Sequence, residues 1–532
     1  MRPRPTPPYS QHLARSLGFF QLTATGVGLV VGAGIYVLLG AATEIAGATI
    51  WVSFLLAGVT SALTAMSYAE LASMFPSAAA EHEYTRRVAG PSLSFLVGWF
   101  MVAGLVVAAA AVSLGFASYL EALTGIPVRL GSLGLFGLLL FVCLLGVRRS
   151  TRLTVALSAV QVLGLVVIIA IGLPHLGDHS LLQGHGPQAV VSGAALVFFA
   201  FIGFDEVITL AEETTNPTRT VPRALLWTLG ISTLLYVGVA ISSVSVLGAT
   251  KLGHSGQPLA EVATQGLGPS AGKAISVIAV FATINTTLLA VTAASRLIFG
   301  MAITGALPRR LSRVSRRQVP AAAIVVVVVV AMAIAQSGSL ELVASLTDVA
   351  VFLVFIAVNV TVIALRIRQP HRIRPFTVPW SFCRVPVIPV LALVSVGFLL
   401  PSLTGRSMVL GAVVGGLGLM VTLGLQHRGR QLAAQTTKGV EMRRHHITEE
   451  DLQAVVSLMH LDIATSPYSE DELRRGMQVE LQHGWVDPTT NVTNDDLVAT
   501  AKIALVHLNE IPDYYTRLAI MEAEGRAFWK KR

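Results

Sequence analysis

The chain has 532 residues, of which 53% are hydrophobic and 13% charged, with a mean hydropathy of +0.70. Soluble domains carry about a quarter charged residues, so this composition excludes an ordinary soluble globular protein and points to a surface facing lipid. The net charge of +9 would suggest nucleic acid in a soluble protein; here the basic residues stand in short segments between apolar runs, where they act as orientation signals, and nucleic acid is excluded as a partner.

The N-terminal segment, residues 1–18, is polar and Pro-rich, and no separate cleavable signal is evident. A crossing helix needs roughly 20 apolar residues, and about twelve segments qualify. They lie near 19–40, 47–70, 92–121, 131–148, 152–173, 189–213, 224–249, 270–305, 320–336, 341–366, 386–402 and 407–425. Two of them, 92–121 and 270–305, exceed one perpendicular crossing and imply tilt or extension beyond the lipid. The run at 321–335 would suit a buried strand in isolation; among its neighbours it reads as a lipid-facing helix. With the N-terminus inside, the inner connections up to Arg384 hold twenty arginines, whereas the outer ones hold only Arg129, Lys251, Lys273 and Arg406. Cys143 falls in a span and Cys383 in a basic loop, which argues against a disulfide framework.

Two spans carry break signals. In lipid every backbone amide needs a partner, so an interrupted helix survives only where it is buried or lines a cavity. The first span contains Gly26, Gly28, Gly32 and Gly34, and repeated glycine weakens a helix while letting other groups approach its backbone. Gly28 and Gly32 also form a GxxxG pair, which alone fits close helix packing equally well. The sixth span places Gly203 among aromatics, in Phe198-Phe-Ala-Phe-Ile-Gly-Phe, with Asp205 and Glu206 just beyond. Five spans separate the two signals, the offset at which inverted repeats place discontinuous helices around a midplane site. Exposed amide ends favour a carboxylate and freed carbonyls a cation, so two facing breaks suit a zwitterion.

Four stretches resemble the amino acid–polyamine–organocation superfamily, and within it the bacterial cationic amino acid transporter-like permeases. They are GVGLVVGAGIYVLLG at 26–40, YAELASMFPSAAAEHEYTRRVAGP at 68–91, FFAFIGFDEVITLAEETTNPTRTVPRAL at 198–225 and SRLIFGMAITGALPRRL at 295–311. The third, with Glu212-Glu213 followed by Asn-Pro and Val-Pro-Arg, is the most specific. The resemblance implies an all-α membrane fold: a five-plus-five inverted repeat with broken helices 1 and 6, then two extra helices. It also implies roles. The substrate carboxylate would meet amides of Gly32, Ala33 and Gly34, and the ammonium would meet carbonyls near Val30, Phe199, Ala200 and Ile202. Phe199 would be the aromatic gate beside the Gly203 break. Relatives that depend on a proton or a compensating cation often carry Lys where this chain has Gln161. Gln offers hydrogen bonds without charge, so the coupling candidates are Gln161, Asp205 and Asp348; an ionisable residue inside a membrane is a functional hypothesis by default, the alternative being solvation at a span end. Thr283, Asn285, Thr286 and Thr287 could coordinate sodium, but such hydroxyls more often bond their own helix. The inner arginines read as topology anchors and inner-gate partners.

Near residue 428 the composition changes. Residues 428–446 read as a polar, basic linker, and 447–532 as a small, mostly helical soluble domain with helices near 449–460, 469–483 and 494–523. Thr448-Glu-Glu-Asp451 suits a helix start. The domain resembles a small bacterial module of no assigned function, on GMQVELQHG and NVTNDDLVATAKIALVHLNEIPDYYTRL. Glu480/His483 and His507/Glu510 are i,i+3 pairs with metal-ligand chemistry, but solvated helix faces share the pattern, and the expectation is no metal and no cofactor.

The sequence therefore describes a transporter domain over 19–427 and a cytoplasmic accessory domain after the linker. The expected function is that of a secondary-active amino acid permease or exchanger, not an enzyme. It would be multi-pass in the plasma membrane with both termini cytoplasmic, and its partners would be an amino acid, the bilayer, a proton or counter-substrate, and an unknown partner of the tail. The alternatives are a polyamine or amine transporter, and a transporter-derived amino acid sensor signalling through the tail.

Overall fold

A computed structural model of the chain describes residues 18–75, 80–145, 151–209, 214–303, 307–315, 319–382, 384–440, 447–459, 461–463, 466–486 and 496–530. The chain divides into two units, Met1–Leu425 and Gln426–Arg532.

The first unit is helical. In chain order it contains α1 (Phe19–Val30), α2 (Gly34–Ala46), α3 (Ile50–Met74), α4 (Ala80–Thr124), α5 (Val128–Leu145), α6 (Thr151–Gly172) and α7 (Pro187–Val197). The short helix α8 (Glu206–Thr209) precedes α9 (Pro217–Leu247), α10 (Ala249–Gly253), α11 (Pro258–Leu267), α12 (Pro269–Ile303), α13 (Ala321–Ser337), α14 (Leu340–Arg368), α15 (Val387–Leu399) and the start of α16 (Gly405–Val440), which continues past the boundary at Leu425. Two short antiparallel strands, β1 (Ser381–Phe382) and β2 (Val385–Pro386), form a hairpin between α14 and α15. The boundaries follow local chemistry. Pro187, Pro217, Pro258 and Pro269 each open a helix, where the missing N–H costs nothing. Gly47, Gly248 and Gly268 follow helix ends with φ of 67°, 72° and 92°, the backbone that terminates helices.

Among the described residues, eight helices are long and apolar enough to cross a bilayer, and the pair α1/α2, bent by 48°, makes a ninth. Three shorter apolar helices, Pro187–Phe201, Ala321–Ser337 and Val387–Ser402, fall on the other expected spans. The 321–335 run is helical, as its neighbours implied. The third expected span belongs to α4, which is broken by Gly90 at φ 77°; the part Ser92–Thr124 and α12 have 33 and 35 residues, about 50 Å each against a hydrocarbon core of about 30 Å. Large apolar side chains such as Phe141, Leu234 and Phe398 are exposed. Such surface would be a liability in water and is what a bilayer requires.

α4 packs between α12 and α14, and α3 packs between α7 and α9. One ion-pair network ties α3 to the connection after α14. Glu70, 1% exposed, accepts from Arg366 Nε at 2.8 Å and Nη2 at 2.6 Å, and from the Val378 amide at 2.8 Å. Arg374 Nε stands 3.3 Å away. Arg366 and Arg374 are thus structural partners of a buried carboxylate. Glu212-Glu213 and Cys383 lie outside the described residues.

The second unit contains α17 (Glu449–Leu458), α18 (Glu470–Val486), α19 (Leu497–Glu510) and α20 (Tyr514–Lys530) around a core that includes Leu452, Leu473, Met477, Ala504, Leu508 and Tyr515. Thr448 and Asp451 form the capping box expected at the first helix start. One expectation needs correction. The single helix over 494–523 is two, because Pro512 has no amide for the ladder and forces Ile511 into extended backbone (φ −135°, ψ 103°). The stretch read as a linker is helical as far as Val440.

Candidate functional site

The first break is one turn of non-helical backbone. Val31 leaves the helix at φ −74°, ψ 65°, and Gly32 N donates to Val30 O at 2.7 Å in a three-residue turn. The Ala33 amide then donates to Thr286 Oγ1 at 3.1 Å, across to α12. From Gly34 onward α2 begins, and its first amides, like those of any helix start, have no intrahelical acceptors.

The second break follows α7. A 3₁₀ turn over Phe198–Phe201 ends at Ile202 in extended backbone, and Gly203 takes φ +111°. Only glycine adopts that conformation readily; a Cβ there would also stand 3.1 Å from Leu29 O. Gly203 N donates to Asp205 Oδ1 at 3.1 Å, so this carboxylate closes the turn.

The breaks touch. A Cβ on Gly34 would lie 2.6 Å from Ala200 Cα. Between them is a narrow cavity of about 60 Å³. Val30, Gly32, Ala33, Gly34, Phe199, Ala200, Ile202 and Gly203, the whole set taken from the sequence, line this one space. Leu29 of α1, Leu105, Ala108 and Val112 of α4 and Thr286, Leu289 and Ala290 of α12 complete the wall, and the sequence reading missed all of these except Thr286. The cavity is well below the several hundred Å³ typical of occupied small-molecule sites, so this geometry is contracted.

Three tyrosine hydroxyls tie together the helices around the breaks. Tyr236 of α9 stands 2.7 Å from Val30 O and 2.9 Å from Ala200 O, one carbonyl from each break. A hydroxyl has one hydrogen to donate, so it satisfies one carbonyl fully and leaves acceptor capacity at the other. Tyr36 donates to Gln161 O at 2.7 Å, and Tyr119 donates to Tyr36 O at 2.8 Å, which fixes α2 against α6 and α4. No motif marks these residues in the sequence. The one available signal is that tyrosine in an apolar span needs a partner for its hydroxyl.

The coupling candidates have different settings. Gln161 is 1% exposed, and among the described residues neither atom of its amide has a hydrogen-bond partner. Its helix face abuts the first break, since Ser158 Oγ donates to Gly28 O at 3.4 Å and Gly164 packs against the Tyr36 hydroxyl. Asp348 on α14 is fully buried, and neither carboxylate oxygen has a partner among the described residues. Solvation at a span end therefore does not describe it. Of the hydroxyl cluster, Thr283 and Thr287 donate to their own helix, whereas Thr286 faces the break.

In the second unit, Tyr515 donates to Glu480 Oε1 at 2.9 Å, His507 Nε2 is 4.0 Å from the same oxygen, and the imidazole stacks on Tyr514. Burial and the Glu480 carboxylate push the Tyr515 hydroxyl above the usual phenol range, so it remains a donor at neutral pH. Glu480 thus faces a hydroxyl and an imidazole from other helices. Among the described residues no group of three His, Cys, Asp or Glu is placed to hold a metal ion, and the His483 side chain lies outside them.

A family model described as amino acid permease matches residues 17–417, and a family of unknown function, DUF5661, matches residues 452–524. The chain is 30% identical over 417 residues to a branched-chain amino acid permease of Bacillus subtilis, covering 74% of this chain and 88% of the relative. It is 32% identical over 440 residues to a methylthioribose transporter of the same organism, covering 77% and 93%. To the vacuolar cationic amino acid transporter 4 of Arabidopsis thaliana it is 31% identical over 387 residues, covering 67% and 64%. With interrupted helices 1 and 6 meeting at one cavity and a family match across the membrane unit, this chain belongs to the amino acid permease family, a family of multi-pass membrane transporters, and carries a DUF5661 domain at its C-terminal end.

Proposed function

We propose that the chain is a secondary-active transporter that moves a zwitterionic or cationic amino acid across the plasma membrane by alternating access, has no enzymatic activity, and has both termini in the cytoplasm. The observation that carries this reading is the meeting of α1/α2 and the Phe198–Gly203 break around one cavity. There a helix N-terminus at Gly34 suits a carboxylate, and the carbonyls at Val30 and Ala200, which share one hydroxyl donor, suit an ammonium. The arginine asymmetry supports the orientation.

The relative named for methylthioribose, a sugar with neither carboxylate nor ammonium, makes substrate class the point to test. Purified full-length chain is melted with an amino acid panel, the corresponding methyl esters, polyamines and methylthioribose. Amino acids with both charged groups are expected to raise Tm, and esters to be ineffective. Stabilisation by methylthioribose or polyamines alone overturns the amino acid reading.

For coupling, Asp348 is the titratable candidate, because its carboxylate is buried without partners, and Gln161 serves as the neutral hydrogen-bonding group beside the break. Asp348→Asn is expected to abolish acceleration of uptake by a proton gradient while leaving exchange of substrate for substrate intact. Acceleration that persists in the variant removes Asp348 from the mechanism and passes the role to Asp205, the other buried carboxylate; wild-type uptake that ignores the gradient makes a counter-substrate the driving partner.

A further inference from the structure

A second cavity, of about 560 Å³, opens on the side of the first unit between α1, α6 and α9. Val27 and Leu29, Ala159, Val162 and Leu163, and Ile231 are among its walls, and no charged side chain lines it. Its rim is hydrocarbon-facing: Phe20 is 84% exposed and Leu163 61%. A recess this apolar holds water poorly, so in a bilayer it is filled by hydrocarbon.

The neighbouring surface says which hydrocarbon. Thr228 Oγ1 donates to Thr23 O and the Tyr236 hydroxyl to Val30 O, so α1 and α9 run parallel, with Phe20 and Trp227 at similar heights. Arg223, Trp227, Ile231 and Leu234 recur at helical spacing on α9 and share one face. Arg223, Trp227 and Leu234 are exposed there. Arg223 precedes Ile231 by about 12 Å of helix rise, and Trp227 and Phe20 stand at the level where aromatic side chains mark the membrane–water interface. A cation, an aromatic pair and then an apolar groove, in that order along the bilayer normal, match a phosphate, a glycerol region and an acyl chain.

We propose that this groove is a binding site for one membrane phospholipid of the leaflet on the N-terminal side of α1, with its phosphate at Arg223 and one acyl chain between α1, α6 and α9. The site adjoins the substrate cavity, because Leu29 lines both spaces. The bound chain braces α1 just ahead of its interruption.

Full-length protein is extracted in mild detergent from vesicles of equal phosphatidylglycerol and phosphatidylcholine, and lipid remaining on the chain is counted by native mass spectrometry. One lipid per chain is expected to persist, with phosphatidylglycerol preferred about fivefold, the effect of one interfacial arginine on an anionic headgroup. Arg223→Gln is expected to remove the preference, and Ala159→Phe, which fills the groove, to remove the lipid. Ile231→Phe fills it from the opposite wall and decides the matter if the first variant does not fold. Lipid retained equally in wild type and groove-filled chains overturns the proposal, as does a wild-type chain with no retained lipid or no headgroup preference. No substrate enters the assay, so its outcome is independent of the transport reading.

Discussion

At the residue scale, the site depends on backbone groups freed by glycine and held by tyrosine. Tyr236 sits within hydrogen-bond distance of one carbonyl from each break. Tyr236→Phe removes that donor; Val30 O keeps its bond from Gly32 N, and Ala200 O loses the hydroxyl. It is expected to cost about 1–3 kcal/mol, read as a lowered Tm, and to weaken substrate binding beyond what the stability loss explains. The two break glycines respond differently. A Cβ at Gly34 meets backbone, Ala200 Cα at 2.6 Å, whereas at Gly32 it meets the end of a side chain, Thr286 Oγ1 at 2.8 Å. Gly34→Ala is therefore expected to lose about 1–3 kcal/mol and ligand response together. Gly32→Ala is expected to lose less, about 0.5–1.5 kcal/mol, as Thr286 rotates away and gives up its hydrogen bond from Ala33 N, and to change the ligand-induced Tm shift; equal melting of the two variants contradicts the contact between breaks. The glycines were legible in the sequence because clustered glycine within a span has a physical meaning. Tyr36, Tyr119 and Tyr236 were not, because each lies alone in an apolar run, where a tyrosine packed on lipid and one donating to a broken helix read alike.

At the scale of elements, α3 and α14 are coupled by a buried carboxylate rather than by apolar packing alone. Glu70→Ala leaves Arg366 and Arg374 facing an empty acceptor position. Breaking such a pair from one side costs about 3–5 kcal/mol, so the variant is expected to elute as aggregated or unfolded protein in size-exclusion chromatography. A monodisperse variant with unchanged Tm contradicts the assignment. The sequence reading saw the inner arginines and their sign, but pairing joins residues some three hundred positions apart. Helix ends were readable wherever Pro or Gly punctuates the chain, as at Pro187 and Gly248. The same rule, left unapplied at Pro512, would have split the last expected helix into α19 and α20.

At the scale of the whole molecule, composition changes near residue 428, where long apolar runs give way to helices with alternating polar and apolar faces. What composition does not carry is the closing of two distant breaks on one cavity, which depends on how α3, α9 and α12 pack. The account's central claim is that this cavity is a translocation site for an amino acid. Its most direct test is uptake of labelled amino acids into liposomes containing the full-length chain. The account predicts saturable uptake that is competed by unlabelled amino acid and lost in Gly34→Ala; stabilisation of the protein by an amino acid with neither net uptake nor exchange would contradict it and identify a sensor instead.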